Sequence, residues 1–180
     1  MPYDLAADPR LDPRIKAMLA AMPSGPQPDV ASRDEMLAEV NTPEALQMQA
    51  MMTMMLDAVD NEDVAPSAGL RVVEESAVSQ PDGNTINLRI IRPNDDRVLP
   101  CVYYIHGGGM ASLSCTLGMY RAWGKIIAAN DVVVVMVDFR NCVSPSSGPE
   151  GAPYPAGLND CVSGPEWTVA NAGLLGIGGA

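Results

Sequence analysis

Residues 98–109 read VLPCVYYIHGGG and residues 131–140 read DVVVVMVDFR, and these two stretches decide the fold. Val98 to Ile105 and Val132 to Val137 are near-continuous apolar runs of strand length, as expected of β-strands covered on both faces. Between them, roughly Leu117 to Asn130, Met119, Trp123, Ile126 and Ile127 fall on one side of a helix. Strand, helix and strand, with buried strands, make a βαβ unit whose strands run parallel. The fold class is α/β. Upstream, Leu70, Val72, Ala77 and Val78 suggest another strand. Ile86, Leu88 and Ile90 alternate with Asn87 and Arg89, the pattern of an antiparallel strand with one wet face. Pro81-Asp82-Gly83-Asn84 is a turn by composition, so these two strands form a hairpin.

Residues 1 to about 65 read as helices. Asp12-Pro13 is an N-cap followed by proline at the first helical position, and Ile15, Met18, Leu19 and Met22 have helical spacing. Pro23 to Pro28 is a breaker-rich linker. Ser32 to Glu35 is a capping box opening a helix through Val40. Thr42-Pro43-Glu44 opens a third helix to about Asp60, carrying Met48, Met51, Met52, Met54 and Met55. One reading of this cluster is a helix buried on more than one face, with methionine filling irregular gaps. The other is a lid lining an apolar pocket. Towards the other end, Asp138 to Pro155 is a long Pro-, Ser- and Gly-rich loop, of the kind that is functional or unstructured. Ala156 to Gly173 is helical in pattern but contains Pro165, which predicts one helix to about Val162 and a second from Pro165.

Composition narrows the function. The 180 residues hold 11 basic and 22 acidic side chains, a formal charge of −11. Such a chain repels phosphate backbones, so nucleic acid is not an expected partner. The longest apolar run, Asp131 to Phe139, is strand-sized, far short of the ~18 residues a membrane span needs. The start, MPYDLAADPR, has neither the basic nor the apolar region of a secretory signal, so a cytoplasmic location is expected. Cys101, Cys115, Cys142 and Cys161 form no CxxC pair, which leaves no metal or cofactor site in prospect and favours buried thiols.

The chemistry concentrates in His106-Gly107-Gly108-Gly109. Three glycines at the end of a buried strand open backbone angles closed to other residues and leave amide N–H groups unobstructed. Such groups stabilise a developing oxyanion, and losing one donor raises the barrier by ~2.7–4 kcal/mol. A phosphate cradle would need a following Lys-Ser or Lys-Thr, but Met110-Ala111-Ser112 follows. A plain structural turn is the remaining reading. Cys115 as an alternative nucleophile lacks a base, since His106 is the only histidine.

Three segments in order, YYIHGGG at 103–109, DFR at 138–140 and YPAGLND at 154–160, resemble the hormone-sensitive-lipase-like branch of the α/β-hydrolase fold, whose members are carboxylesterases and lipases. The resemblance spans about residues 70 to 177. It implies an incomplete α/β-hydrolase core over residues 66–180 and a cap-like helical segment over residues 1–65. It further implies a carboxylic-ester hydrolase acting on a small-molecule acyl ester. Gly108 and Gly109 would be oxyanion donors, while Gly107 and His106 would shape the loop. The methionines become candidates for the acyl pocket. The family's nucleophile lies in G-x-S-x-G, with triad order Ser, acid, His. No G-x-S-x-G occurs in this sequence, so nucleophile, acid and base would lie beyond Ala180 and the chain alone would be inactive. The alternative is a non-catalytic ester-binding or assembly module of the same origin. Without the nucleophile strand, Val98 to Ile105 becomes an apolar sheet edge open to self-association.

Overall fold

The computed structural model describes residues 8–21, 30–148 and 150–178. They fall into two compact units, Met1–Ala31 and Ser32–Ala180. In the first, helix α1 (Pro13–Ala21) starts as its cap signal predicts, with the Arg14 N–H donating to Asp12 Oδ1 at 2.8 Å. Met22 and the Pro23–Pro28 linker lie outside the described residues.

The second unit begins with α2 (Arg33–Val40), where Ser32 Oγ accepts the Glu35 N–H at 3.2 Å, and α3 (Pro43–Asp57), where Thr42 Oγ1 accepts the Ala45 N–H at 3.2 Å. The hairpin follows as β1 (Leu70–Val78) and β2 (Thr85–Pro93), antiparallel from Leu70 opposite Pro93 to Val78 opposite Thr85. Then come β3 (Cys101–Ile105), α4 (Gly118–Ala128) and β4 (Val133–Asp138), with β3 and β4 parallel and Tyr103 opposite Val135. The βαβ unit is therefore present. The sheet order is β1-β2-β4-β3, with β2 and β4 antiparallel. Helices α5 (Ala156–Ala170) and α6 (Ala172–Leu175) complete the unit.

Strand β4 explains why the core forms. All its residues are buried, and its alternation feeds two layers. Val133, Val135 and Val137 join Ile86, Leu88, Ile90 and Phe139 on one face, while Val134 and Met136 join Ile91, Tyr120 and Ala128 on the other. Each such side chain contributes about 1.5–3 kcal/mol of gross hydrophobic stabilisation. Strand β3 lies at the sheet edge, and its first four residues are only half-buried instead of covered on both faces. Beside it Ile177 makes an isolated parallel bridge with Leu99.

Two further sequence expectations need correction. Helix α3 has no buried residue, and Met48, Met51, Met52, Met54 and Met55 are all at least half exposed, so the multiply buried reading fails. Those methionines stay exposed, and α3 is tied down at its C-terminal end. There the Gly118 N–H donates to Asp57 Oδ1 at 2.6 Å, while Arg121 and Lys125 reach Asp60 at 2.7 and 2.6 Å. Pro165 does not split the helix, because α5 runs unbroken through it. Its buried face, with Asp160, Cys161, Gly164 and Thr168 against the sheet, outweighs one missing amide bond. Helix α4 meets the sheet through Tyr120, Gly124 and Ala128, with Met119 and Ile127 packed against the same cluster, while Trp123 and Ile126 are exposed. Contact there is close: a Cβ on Gly124 would lie 2.7 Å from Met136 Sδ.

Candidate active site

Strand β3 delivers the chain to His106, whose ring stacks on Phe139 with centroids 4.2 Å apart. The buried ring makes a 2.8 Å hydrogen bond from Nδ1 to the Gly107 carbonyl. Its Nε2 is buried without a hydrogen-bond partner, 3.9 Å from Asp138 Oδ1. Burial lowers the pKa of His106, against the opposing pull of the Gly107 carbonyl and Asp138, and so favours the neutral imidazole.

Beyond His106 the backbone turns left-handed. Gly108, Gly109 and Met110 have φ of 121°, 65° and 59°, and Leu113 has 74°. The first of these requires glycine, since a Cβ on Gly108 would sit 2.1 Å from the Ser112 carbonyl oxygen. That turn is closed by the Gly108 carbonyl, which accepts N–H groups from Ala111 and Ser112 at 3.0 and 3.2 Å. Among the described residues the N–H groups of Gly108 and Gly109 have no acceptor. They are paired neither within the loop nor with the sheet.

The loop is clamped by the segment that leaves β4. Cys142 N–H donates to Met110 O at 2.9 Å, and the amides of Val143 and Ser144 donate to Ala111 O at 3.2 and 2.9 Å. Asn141 Nδ2 donates to Leu113 O at 2.7 Å, and the Cys115 N–H donates to Asp138 Oδ1 at 3.0 Å. Asp138 also holds the following loop, accepting the Ser147 N–H at 2.7 Å and the Ser147 hydroxyl. Arg140 fixes the base of this clamp. It grips Asp160 through Nε at 2.9 Å and Nη2 at 2.8 Å, and reaches Asp82 through Nη1 at 2.7 Å. Hydrogen bonding to Asp160 raises the Arg140 pKa further, and the Arg140 guanidinium lowers that of Asp82.

The sequence pattern singled out HGGG and DFR but not their connection. Asn141 and Ser147 went unnoticed; the available signal was a polar residue directly after a buried strand, where an unmatched amide needs a partner. Cys115 is unfit as a nucleophile, because burial, with Asp138 adding to it, drives its thiol pKa far up. Cys161 is also buried, its thiol pushed up to about 11 by burial, whereas Cys101 and Cys142 are only half-buried; all four are free. Among the described residues no group of three or more His, Cys, Asp and Glu side chains could hold a metal, and no helix is long and apolar enough to cross a membrane.

A groove of about 400 Å³ opens beside the clamped loop. Val40, Met48 and Met52 from α2 and α3 form one wall, and Ser112, Leu113 and Ser144 form the other. The arrangement thus offers two unpaired amides in a rigid loop, close in sequence to one wall of a largely apolar trough.

No protein-family model and no curated protein matches the chain. Solved structures do. Esterase Est22, in a structure with p-nitrophenol, is 55% identical, with a TM-score of 0.88 over 97% of this chain and 51% of that one. Brefeldin A esterase, a bacterial homologue of human hormone-sensitive lipase, is 29% identical, with a TM-score of 0.74 over 95% of this chain and 47% of that one. A bacterial heroin esterase, at 23% identity and a TM-score of 0.65 over 94% of this chain and 46% of that one, shares the fold. The chain spans about half the length of each of these relatives. Shared sequence and a shared partial α/β-hydrolase core together show that the chain belongs to the hormone-sensitive-lipase-like family.

Proposed function

We propose that this chain forms the oxyanion-binding part of a serine carboxylesterase. Gly108 and Gly109 supply the N–H donors for the tetrahedral intermediate, and Gly107 and His106 shape the loop that presents them. The groove of about 400 Å³ takes the acyl chain of a small ester, with α2 and α3 of the cap-like segment (residues 1–65) forming one of its walls. The observation that carries this reading is the pair of unpaired glycine amides in a loop held at Met110, Ala111, Leu113 and Cys115. Fixed donors are what oxyanion stabilisation needs, because they do not have to reorganise as charge develops. No G-x-S-x-G is present and the single histidine is stacked and buried in the loop, so attack, proton transfer and deacylation require groups that residues 1–180 do not supply.

The test is a chimera in which residues 1–178 replace the matched half of esterase Est22, assayed on p-nitrophenyl acetate and butyrate beside the isolated chain. We expect hydrolysis by the chimera and none by the isolated chain above a denatured control. Gly108→Ala in the chimera should lower kcat about 10²-fold by displacing a donor. A folded chimera without activity, or unchanged kcat in Gly108→Ala, overturns the proposal. Saturable ester binding by the isolated chain, with an inactive chimera, would favour the non-catalytic module.

A further inference from the structure

We propose that Asp138 is a further positioning residue of the glycine loop: it holds the exit of the loop through the Cys115 N–H and acts on its entry through the His106 ring, whose second nitrogen orients the Gly107–Gly108 peptide. The catalytic consequence rests on the oxyanion reading of the loop, whereas the positioning can be measured without catalysis. At the exit, Asp138 Oδ1 accepts the Cys115 N–H at 3.0 Å. Its Oδ2 accepts the Ser147 N–H at 2.7 Å and the Ser147 hydroxyl, and Ser147 Oγ accepts in turn from Asn87 Nδ2 at 3.0 Å. One buried carboxylate therefore fastens the end of the glycine loop to the segment that leaves β4.

At the entry the link runs through His106. Its Nδ1 lies 2.8 Å from the Gly107 carbonyl, which can only accept, so Nδ1 carries a proton and the neutral ring has a bare lone pair on Nε2. That Nε2 is buried, has no hydrogen-bond partner and faces Asp138 Oδ1 at 3.9 Å. The gap is too long for a hydrogen bond, yet charge acts strongly across it in a buried site. The carboxylate thus draws positive charge onto the ring, against burial. A more positive ring donates more strongly from Nδ1 to the Gly107 carbonyl. A carbonyl so held polarises the N–H of its own peptide group, which is that of Gly108. The peptide is planar, so the same bond sets the direction of that N–H. Among the described residues no arginine or lysine pairs with Asp138: Arg89 pairs with Glu74, and Arg140 with Asp82 and Asp160. The other ionisable groups packed around the pair are the Cys115 thiol beside Asp138 and Tyr120, whose ring lies 5.5 Å from that of His106. Burial raises the pKa of both, so both stay neutral near neutral pH.

The experiment is heteronuclear NMR on the 180-residue chain, in which His106 is the only histidine and its ring signals are unambiguous. On acidification the Gly108 N–H shift should move with the His106 ring and with the same midpoint. In Asp138→Asn both midpoints should fall together, and exchange of the Cys115 amide should quicken about tenfold. Asp138→Glu keeps the charge and should return the midpoints towards those of the unmodified chain. Ser147→Ala removes only a hydroxyl contact and should leave both midpoints in place, which separates a charge acting on His106 from a merely structural tie. In the chimera with esterase Est22, Asp138→Asn should lower kcat about 10- to 10²-fold with little change in KM, and the loss should shrink on a His106→Asn background. A Gly108 amide that ignores the His106 titration overturns the proposal, as does a His106 midpoint unmoved in Asp138→Asn. If Asp138→Asn is recovered unfolded, the Gly108 co-titration and the Asp138→Glu midpoint decide. Coupled titrations with unchanged kcat would instead overturn the oxyanion reading and leave the positioning intact.

Discussion

Replacing Gly108 by alanine tests the loop geometry without any assay of catalysis. At φ 121° an L-residue is in a sparsely populated region, at a cost of about 1–3 kcal/mol. The new Cβ would also lie 2.1 Å from Ser112 O and 3.1 Å from Ser112 C, contacts that cannot persist. Both are backbone atoms of the turn that Gly108 O closes with Ala111 and Ser112, so those two hydrogen bonds must open, at about 0.5–1.5 kcal/mol each. Together the loss is about 4 kcal/mol, a large share of the 5–15 kcal/mol typical of a domain. Gly109→Ala is the internal comparison. Its φ is 65° and a Cβ there meets nothing within 4 Å, so only the left-handed penalty of about 1 kcal/mol applies. Urea unfolding followed by far-UV circular dichroism measures both. We expect Gly108→Ala to be the less stable variant by about 3 kcal/mol, or to be recovered unfolded while Gly109→Ala folds. Equal midpoints for the two variants would refute the assigned turn.

Three further outcomes can be measured on the same chain. Tyr103→Phe should be neutral or stabilising by up to about 1 kcal/mol, because the buried Tyr103 hydroxyl has no partner. Gly164→Ala, whose Cβ would lie 1.9 Å from that hydroxyl, should cost about 1–3 kcal/mol, less on the Tyr103→Phe background; additive losses would contradict the contact. Arg140→Lys should cost about 2–4 kcal/mol in urea unfolding, since lysine cannot fork to Asp160, whose side chain is fully buried. His106 has its folded pKa lowered by burial from the ordinary 6.5, so as pH falls the unfolded chain takes up the proton first. Stability should therefore decline from about pH 6.5 down through the folded value and then level off, and His106→Asn should flatten that window; an unchanged slope would contradict a neutral buried ring.

The strands were legible because their signals are local. Alternation in Ile86, Leu88 and Ile90 marks one buried face, and the valine run of β4 marks two. The caps at Ser32 and Thr42 were equally legible, since each is a contact within three residues. The clamp on the glycine loop was not legible. It joins Met110–Cys115 to Asp138–Ser144 through main-chain groups, whose partners leave no trace in residue type. Only Asn141 and Asp138 add side chains to it, and a polar residue after a strand has many other uses. Pro165 misled for a related reason. The rule against an interior proline weighs one helix in isolation, whereas α5 is held along its length by burial of Asp160, Cys161, Gly164 and Thr168.

The face that α4 turns to the sheet carries a different lesson. Of the apolar residues spaced on one side of α4, Met119 and Ile127 pack on the cluster that joins it to the sheet, while Trp123 and Ile126 are exposed. Where approach is closest the position is glycine, because α4 lies so near β2 and β4 that a Cβ on Gly124 would strike Met136 and Ile91. Small residues bury little area and so give a weak hydrophobic signal, yet they are what close approach demands. Trp123 and Ile126 are left on a groove that Val59 and Tyr104 also line. Val169 lies on the other flank of β3, on a helix that packs on the sheet through its opposite side. Large apolar side chains in a sequence report surfaces suited to being covered, not which surface of the same chain covers them.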